Sequence, residues 1–372
     1  MQVTESAQVW ESKQPGTPFQ RHLAIFSLIL KGEQKTAAEY LRCNAAPVHQ
    51  FIRFIEKQNL QLLLASLLDG SPVRPWLPQE YLRELKKSSL QHWARQEALV
   101  RELMAIANVF AAAGQEFILL KGAYIATRFF GGVDRRPFFD IDLLVSKDAL
   151  SKAQRLLTSN GYIRKSGILF NEALTTYFTH AFDFAKPNVA LDLHWNLSAN
   201  AAHHLDYDAI WRQRQNFVLY NRNFSVLSDE YEVVFSLISI FKDLERGAAR
   251  LKTFVDLYFI LNALESKLDW ASFVENRRRE KILTISVNVL ALFFNLFDCR
   301  NRFPSVAQVV GREQALVKRV TAQDSAALLE ASIGSIQNKL WTAGMYECSR
   351  LHLFLWWLIS LPFRLAVHEH SK

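Results

Sequence analysis

The sequence predicts an α+β fold in which a small mixed α/β core is inserted between an N-terminal and a C-terminal helical bundle. Three observations predict it. Long stretches on both sides of the middle carry apolar residues at three- and four-residue spacing. Between about Glu116 and Tyr220 that texture gives way to short apolar runs in the order strand, helix, strand, helix, strand, strand. The composition, with 50% hydrophobic and 22% charged residues and only 13 Gly and 10 Pro in 372, is that of a helix-rich globular chain, long enough for two or three domains. The expected divisions are 1–112 (helical), 113–220 (the α/β core), 221–340 (helical) and 341–372 (an apolar helix and tail). No internal repeat or low-complexity tract interrupts them.

From Pro18 to about Ala112 the segments "FQRHLAIFSLIL", "AAEYLRC", "VHQFIRFIEKQNLQLLLASLL" and "YLRELKKSSLQHWARQEALVRELMAIANVFAAAG" each show a helical apolar stripe, and "DGSPVRPWLP" breaks the run. In the core, "QEFILLKG" reads as a buried strand ending at Gly122, "AYIATRFF" as a helix and "FFDIDLLV" as a second strand. "KDALSKAQRLLTSNGY" reads as an amphipathic helix stopped by Asn160 and Gly161, and "TTYFTHAFDFAKPNVALDLHW" as a hairpin turning at Lys186 to Asn188. Helices then resume with "DEYEVVFSLISIFKDLERG", for which Asp229 after Ser228 supplies an N-cap.

The net charge of +8 favours an anionic partner: nucleotide, nucleic acid, acidic glycan or membrane surface. The basic run "ENRRREK", Glu275 to Lys281, reads as a solvated helix face, and the absence of a zinc finger, basic helix or aromatic platform argues against sequence-specific DNA binding. Three cysteines, Cys43, Cys299 and Cys348, without CxxC spacing indicate neither a disulfide framework nor a zinc site, and fit a reducing cytoplasm. The N-terminus shows no secretory signal. "LHLFLWWLISLPF", Leu351 to Phe363, is shorter than the roughly 20 residues needed to span a bilayer. It is expected to be a buried closing helix; the alternative is an interfacial helix with Trp356, Trp357 and Arg364 at the headgroups, a peripheral contact at the inner membrane face.

Chemistry concentrates in the core. Asp140 and Asp142 alternate along one strand and so share a face, where two like charges need a positive partner. Gly122 stands at a strand-to-helix turn, where a missing Cβ lets backbone N–H groups approach a phosphate, with Lys121 beside it. In "VALDLHW", Asp192 and His194 face away from Val189, Leu191 and Leu193, so a third carboxylate reaches the first two if the strands are neighbours. Three carboxylates without a cysteine or dense histidine cluster select a hard cation, magnesium or manganese. Two such ions would bridge a triphosphate, lower the pKa of an attacking hydroxyl and stabilise departing pyrophosphate. Each element has a plainer explanation on its own. The acid pair could be matched by Arg135 and Arg136, Lys121 could be solvated, Asp192 could cap a turn and His194 could be a hydrogen-bonded core histidine. Their order and context favour the joint reading.

"LLKGAYIA", Arg136 ahead of "DIDLLV", "NGY", His180 and "LDLHW" together resemble the uncharacterised bacterial nucleotidyltransferase family of the polymerase-β-like nucleotidyltransferase superfamily. The resemblance covers most of the chain and implies a transferase that moves a nucleoside monophosphate from a nucleoside triphosphate to an acceptor hydroxyl. Asp140, Asp142 and Asp192 match the superfamily's catalytic metal ligands, and Gly122 matches the glycine beside the triphosphate. Lys121 and Arg136 match positions for phosphate contact or support of the acidic strand. His180, His194 and Trp195 match as supporting residues, with an orienting hydrogen bond to Asp192 as the expected role. "RLKTFVDLYFIL" resembles a later motif in which a lysine and an aspartate face the site, which adds Lys252 and Asp256 as nucleotide-binding candidates; the alternative is an exposed i,i+4 ion pair. The departures are Ala123 where the superfamily has glycine or serine, and the longer loop "GGVDRRP". The acceptor stays open among small molecule, sugar, protein and RNA. A catalytically silent nucleotide-binding scaffold is the competing reading.

Overall fold

The computed structural model describes residues 17–43, 47–168, 171–199, 202–318, 322–330 and 336–368. Helices α1 to α5 (Pro18–Lys31, Gln34–Cys43, Pro47–Lys57, Gln61–Leu67, Gln79–Ala112) come first. The central region alternates β1 (Ile118–Leu120), α6 (Gly122–Phe130), β2 (Asp140–Leu144), α7 (Leu150–Ser159), β3 (Ile163–Arg164), α8 (Glu172–Phe178), β4 (Ala181–Lys186), β5 (Val189–His194), α9 (Tyr207–Arg212), β6 (Gln215–Leu219) and β7 (Arg222–Val226). Then follow α10 (Asp229–Arg246), α11 (Leu251–Leu264), α12 (Trp270–Arg279), α13 (Leu283–Phe297), α14 (Pro304–Arg312), α15 (Ala322–Glu330), α16 (Ile336–Ala343) and α17 (Arg350–His368). A mixed sheet with helices before and after it is the architecture expected from the sequence.

The chain divides into two compact units. The first comprises Met1–Gln91, Ile240–Val255 and Val287–Ala343, and so draws on helices that precede and follow the strands in sequence. Phe26, Ile29, Phe51, Ile55, Phe241, Phe254 and Phe293 lie in its apolar interior, and Ser27 Oγ donates to the Phe297 carbonyl at 2.7 Å.

The second unit comprises His92–Ser239, Asp256–Ser286 and Gly344–Lys372, and contains the whole sheet, in the order β3-β4-β5-β2-β1-β7-β6. β2 pairs with β5 and β1 with β7 in parallel, and the remaining pairs are antiparallel. The sheet runs past the expected edge at 220, because the β6–β7 hairpin, turning at Tyr220 and Asn221 with positive φ, joins it beside β1. β1 and β2 are buried along nearly their whole length, which explains why both read as continuous apolar runs.

Several local expectations are corrected. "TTYF" is helical, not the start of a strand: the Asn171 carboxamide caps α8 by accepting from Leu174 N at 2.8 Å, and this local bond outweighs the β-preference of the threonines. Ser228 precedes the first turn of α10, and its carbonyl accepts the first helical bond, from Glu232 N at 2.8 Å; Asp229 instead turns its carboxylate to Arg128. In the basic run Arg278 and Arg279 are exposed as expected, but Arg277 is fully buried between Glu230 and Glu280. "LHLFLWWLISLPF" is helical but not a buried closing helix. Phe363 is buried, stacking on Phe178 of α8 with centroids 4.6 Å apart, and Ser360 is buried with it, while Leu351, Phe354, Leu355, Trp357, Leu358 and Ile359 are exposed. Burial depends on what the fold places alongside the helix, which apolar content alone does not report. Among the described residues no helix is long and apolar enough to cross a membrane.

Candidate active site

The site is built by strand register. β2 and β5 run parallel with Asp142 opposite Asp192, and Leu144 opposite His194. β4 lies antiparallel on the far side of β5 with Asp183 opposite Asp192. Paired residues point to the same face, so Asp142, Asp192 and Asp183 form a row across three strands, with Asp140 one alternation before Asp142. The expected neighbourhood of the acidic strand and the "LDLHW" strand is therefore present, and a fourth acid joins it.

Asp142 and His194 are buried and Asp192 is half-buried; one ligand atom from each lies within 4.8 Å of the others, a group that could hold a metal ion. His194 Nε2 is 3.0 Å from Asp142 Oδ1, so the orienting bond expected toward Asp192 goes to the second member of the acid pair. Asp192 feels the crowding most. Burial raises its carboxyl pKa well above the ordinary carboxylate range, Asp142, Asp183 and Asp140 add to the rise, and Lys121 opposes it. A bound divalent cation would relieve that repulsion, and two carboxylates with one imidazole are a fitting donor set for one.

β1 ends beside this row, since Leu120 pairs with Asp142. The chain then turns through two residues of positive φ, Lys121 at +40° and Gly122 at +46°, to start α6. At Gly122 the φ is what demands glycine, because an added Cβ would stand 3.5 Å from the Asp140 carbonyl, an ordinary contact. Lys121 also has a positive φ, with ψ at −140° and a full side chain, a strain of the kind that gathers at functional turns. Its ammonium lies 4.5 Å over the ring of Phe235 on α10.

Arg136 and Asp256 are both buried and bond each other twice, Nε to Oδ1 at 2.7 Å and Nη2 to Oδ2 at 2.8 Å. Nη1 of the same guanidinium reaches the Gly122 carbonyl at 3.4 Å, and Gln96 Nε2 donates to the Arg136 carbonyl at 2.7 Å. Burial works against the charge on Arg136, but Asp256, followed by Asp140 and Asp142, more than offsets it and raises its pKa. Asp256 is thus buried rather than exposed, and it binds the arginine that braces the turn. Arg135 lies nearer the end of α6, its Nη1 at 3.5 Å from the Phe130 carbonyl.

Of the supporting residues, His180 is buried with its ring 5.7 Å from that of His194, and its carbonyl accepts from Trp195 N at 3.1 Å. Trp195 is a core residue, packed on Phe182 and donating its indole N–H to the Thr176 carbonyl at 3.0 Å. Sequence reasoning missed Asp183 and Glu232. The alternation in "HAFDFAK" could have flagged Asp183 once the hairpin register was assumed. Glu232, in the first turn of α10, looks like ordinary helix-start acid, and only its burial sets it apart.

No curated protein matches the chain. The family described as uncharacterised nucleotidyltransferase matches residues 44–298, more than half of the chain and all of the strands that build the site. The protein therefore belongs to this nucleotidyltransferase family.

Proposed function

We propose that the protein is a metal-dependent nucleotidyltransferase that moves a nucleoside monophosphate from a nucleoside triphosphate to an acceptor hydroxyl. The observation that carries this is the in-register pairing of Asp142 with Asp192, with His194 beside them, at the point where β1 delivers the Lys121–Gly122 turn. Asp140 and Asp142 would hold two ions and Asp192 would complete one of them. His194 adds an imidazole that fits manganese at least as well as magnesium. Bound there, the ions would lower the pKa of the acceptor hydroxyl and neutralise the departing pyrophosphate.

The chain's own groups do the rest. Backbone N–H groups at the start of α6 and the Lys121 ammonium bind the triphosphate. The acceptor oxygen bonds to the α-phosphorus, the bond to the β-bridging oxygen breaks, and pyrophosphate leaves with that electron pair while Asp192 takes up the acceptor proton. Arg136 and Asp256 act on the turn, through the Gly122 carbonyl, rather than on phosphate. Thermal-shift titration of wild type and the Asp140→Asn/Asp142→Asn variant with each nucleoside triphosphate, with and without Mg²⁺ or Mn²⁺, tests the reading. Stabilisation is expected to need both metal and nucleotide and to vanish in the variant. No shift with any nucleotide would count against this reading, and binding without pyrophosphate release would favour a silent nucleotide-binding scaffold.

A second reading concerns α17. Its exposed Leu351, Phe354, Leu355, Trp357, Leu358 and Ile359 form a broad apolar face, and with the net charge of +8 this favours peripheral docking on an anionic membrane surface. Co-sedimentation of the full chain with anionic vesicles should fall when Phe354, Trp357 and Leu358 are replaced by Gln; equal pelleting removes the idea.

A further inference from the structure

Glu232 is a buried acid that the proposed chemistry leaves unused. Only 2% of it is exposed, and its Oε2 has no hydrogen-bond partner. On α6 the hydroxyl of buried Tyr124 accepts from Arg128, whose other arm bonds Asp229. The charged and titratable groups facing Glu232 are Lys121 from the β1–α6 turn, Tyr124 and Arg128 from α6, Arg136 from the stretch before β2, and Asp229 from its own helix. One turn further along α10 is Phe235, whose ring lies under the Lys121 ammonium. Residues three apart on a helix share a face, so Glu232 lies on the side of α10 that carries Phe235.

On the nucleotidyltransferase reading, Lys121 is a phosphate ligand. We infer that Glu232 and Phe235 form a seat on α10 that holds the Lys121 ammonium in the nucleotide-free protein, and that an incoming triphosphate must draw the lysine off this seat. Lys121 acts electrostatically on two acids, opposing the rise in proton affinity of both Asp192 and Glu232. Its backbone is pinned by the positive-φ turn, so the side chain is what redistributes between α10 and the carboxylate row. Glu232 is thus a positioning residue, acting on the substrate through Lys121.

The seat has a sign. An ionised Glu232 competes with the triphosphate for Lys121 and adds negative charge near it, so nucleotide binding weakens when Glu232 is charged. Burial pushes its carboxyl up to about 7, against the pull of Arg128, Lys121 and Arg136, so the competition is present above neutrality and fades below it.

The test is calorimetric binding of Mn²⁺ and each nucleoside triphosphate to full-length wild type, Glu232→Gln, Lys121→Met and the double variant, at about pH 6 and about pH 8. Glu232→Gln is expected to bind about five-fold tighter than wild type near pH 8 and within about two-fold near pH 6, an effect the Lys121→Met background abolishes. Phe235→Leu, which keeps apolar bulk but removes the ring face, should shift binding in the same direction and covers the case in which the glutamine variant does not fold. Wild-type binding that Asp140→Asn/Asp142→Asn abolishes, combined with no change in Glu232→Gln near pH 8 or a gain that survives in Lys121→Met, would overturn the seat while leaving the nucleotidyltransferase reading intact. Absence of binding by the wild type would overturn both.

Discussion

Arg136 and Asp256, from the loop before β2 and from α11, are joined by two hydrogen bonds of 2.7 and 2.8 Å in a buried setting. The same guanidinium reaches the Gly122 carbonyl, so an interaction between distant parts of the chain braces the turn on which phosphate binding is proposed to depend.

Breaking that pair from one side should be expensive. Asp256→Asn leaves a buried guanidinium without its counter-charge, a loss on the order of 3–5 kcal/mol. Chemical denaturation should show it, and Arg136→Met/Asp256→Leu, which removes both charges, should recover much of the stability. A single variant within about 0.5 kcal/mol of wild type would show that the pair contributes little.

Asp192 predicts a pH dependence. Its proton affinity is raised in the folded protein, first by burial and then by Asp142, Asp183 and Asp140. A carboxyl whose folded pKa exceeds its unfolded value costs stability as pH rises from the ordinary carboxylate range through the folded pKa. Metal-free Asp192→Asn is therefore expected to melt above wild type near pH 8, by about 2–4 °C for each kcal/mol relieved. It should also lose the stabilisation that Mn²⁺ gives wild type. A variant that melts lower than wild type without metal, or that keeps the full response to Mn²⁺, would refute the crowded-carboxylate account.

The basic run offers a contrast between two consecutive residues. Arg277 is fully buried, with Nε 2.7 Å from Glu280 and Nη1 3.2 Å from Glu230, whereas Arg278 is exposed and pairs with exposed Glu275. Arg277→Ala is expected to cost on the order of 3–5 kcal/mol by stranding Glu280, and Arg278→Ala to fall within about 0.5 kcal/mol of wild type. Equal losses in urea melts would contradict this division.

Much of the site was legible from local pattern. "FFDIDLLV" and "VALDLHW" announce strands by their apolar runs, and alternation alone puts Asp140 with Asp142 and Asp192 with His194. The helical stripes on both flanks announce their elements in the same way. Asp183 was harder, because its place in the row depends on the register of β4 against β5, and a slip of one residue would turn it to the other face.

What the sequence by itself determined is therefore the identity and order of the elements and the side chains each one carries, since these follow from spacing along a helix or strand. Only the tertiary structure decided that Asp256 binds Arg136, that Arg277 is buried while its neighbours are not, that the Phe235 ring lies under the Lys121 ammonium, and that α17 shows its apolar face to solvent. Each of these depends on what a distant segment brings alongside. Burial and charge pairing are properties of the neighbours that folding supplies, and the local chain does not encode them.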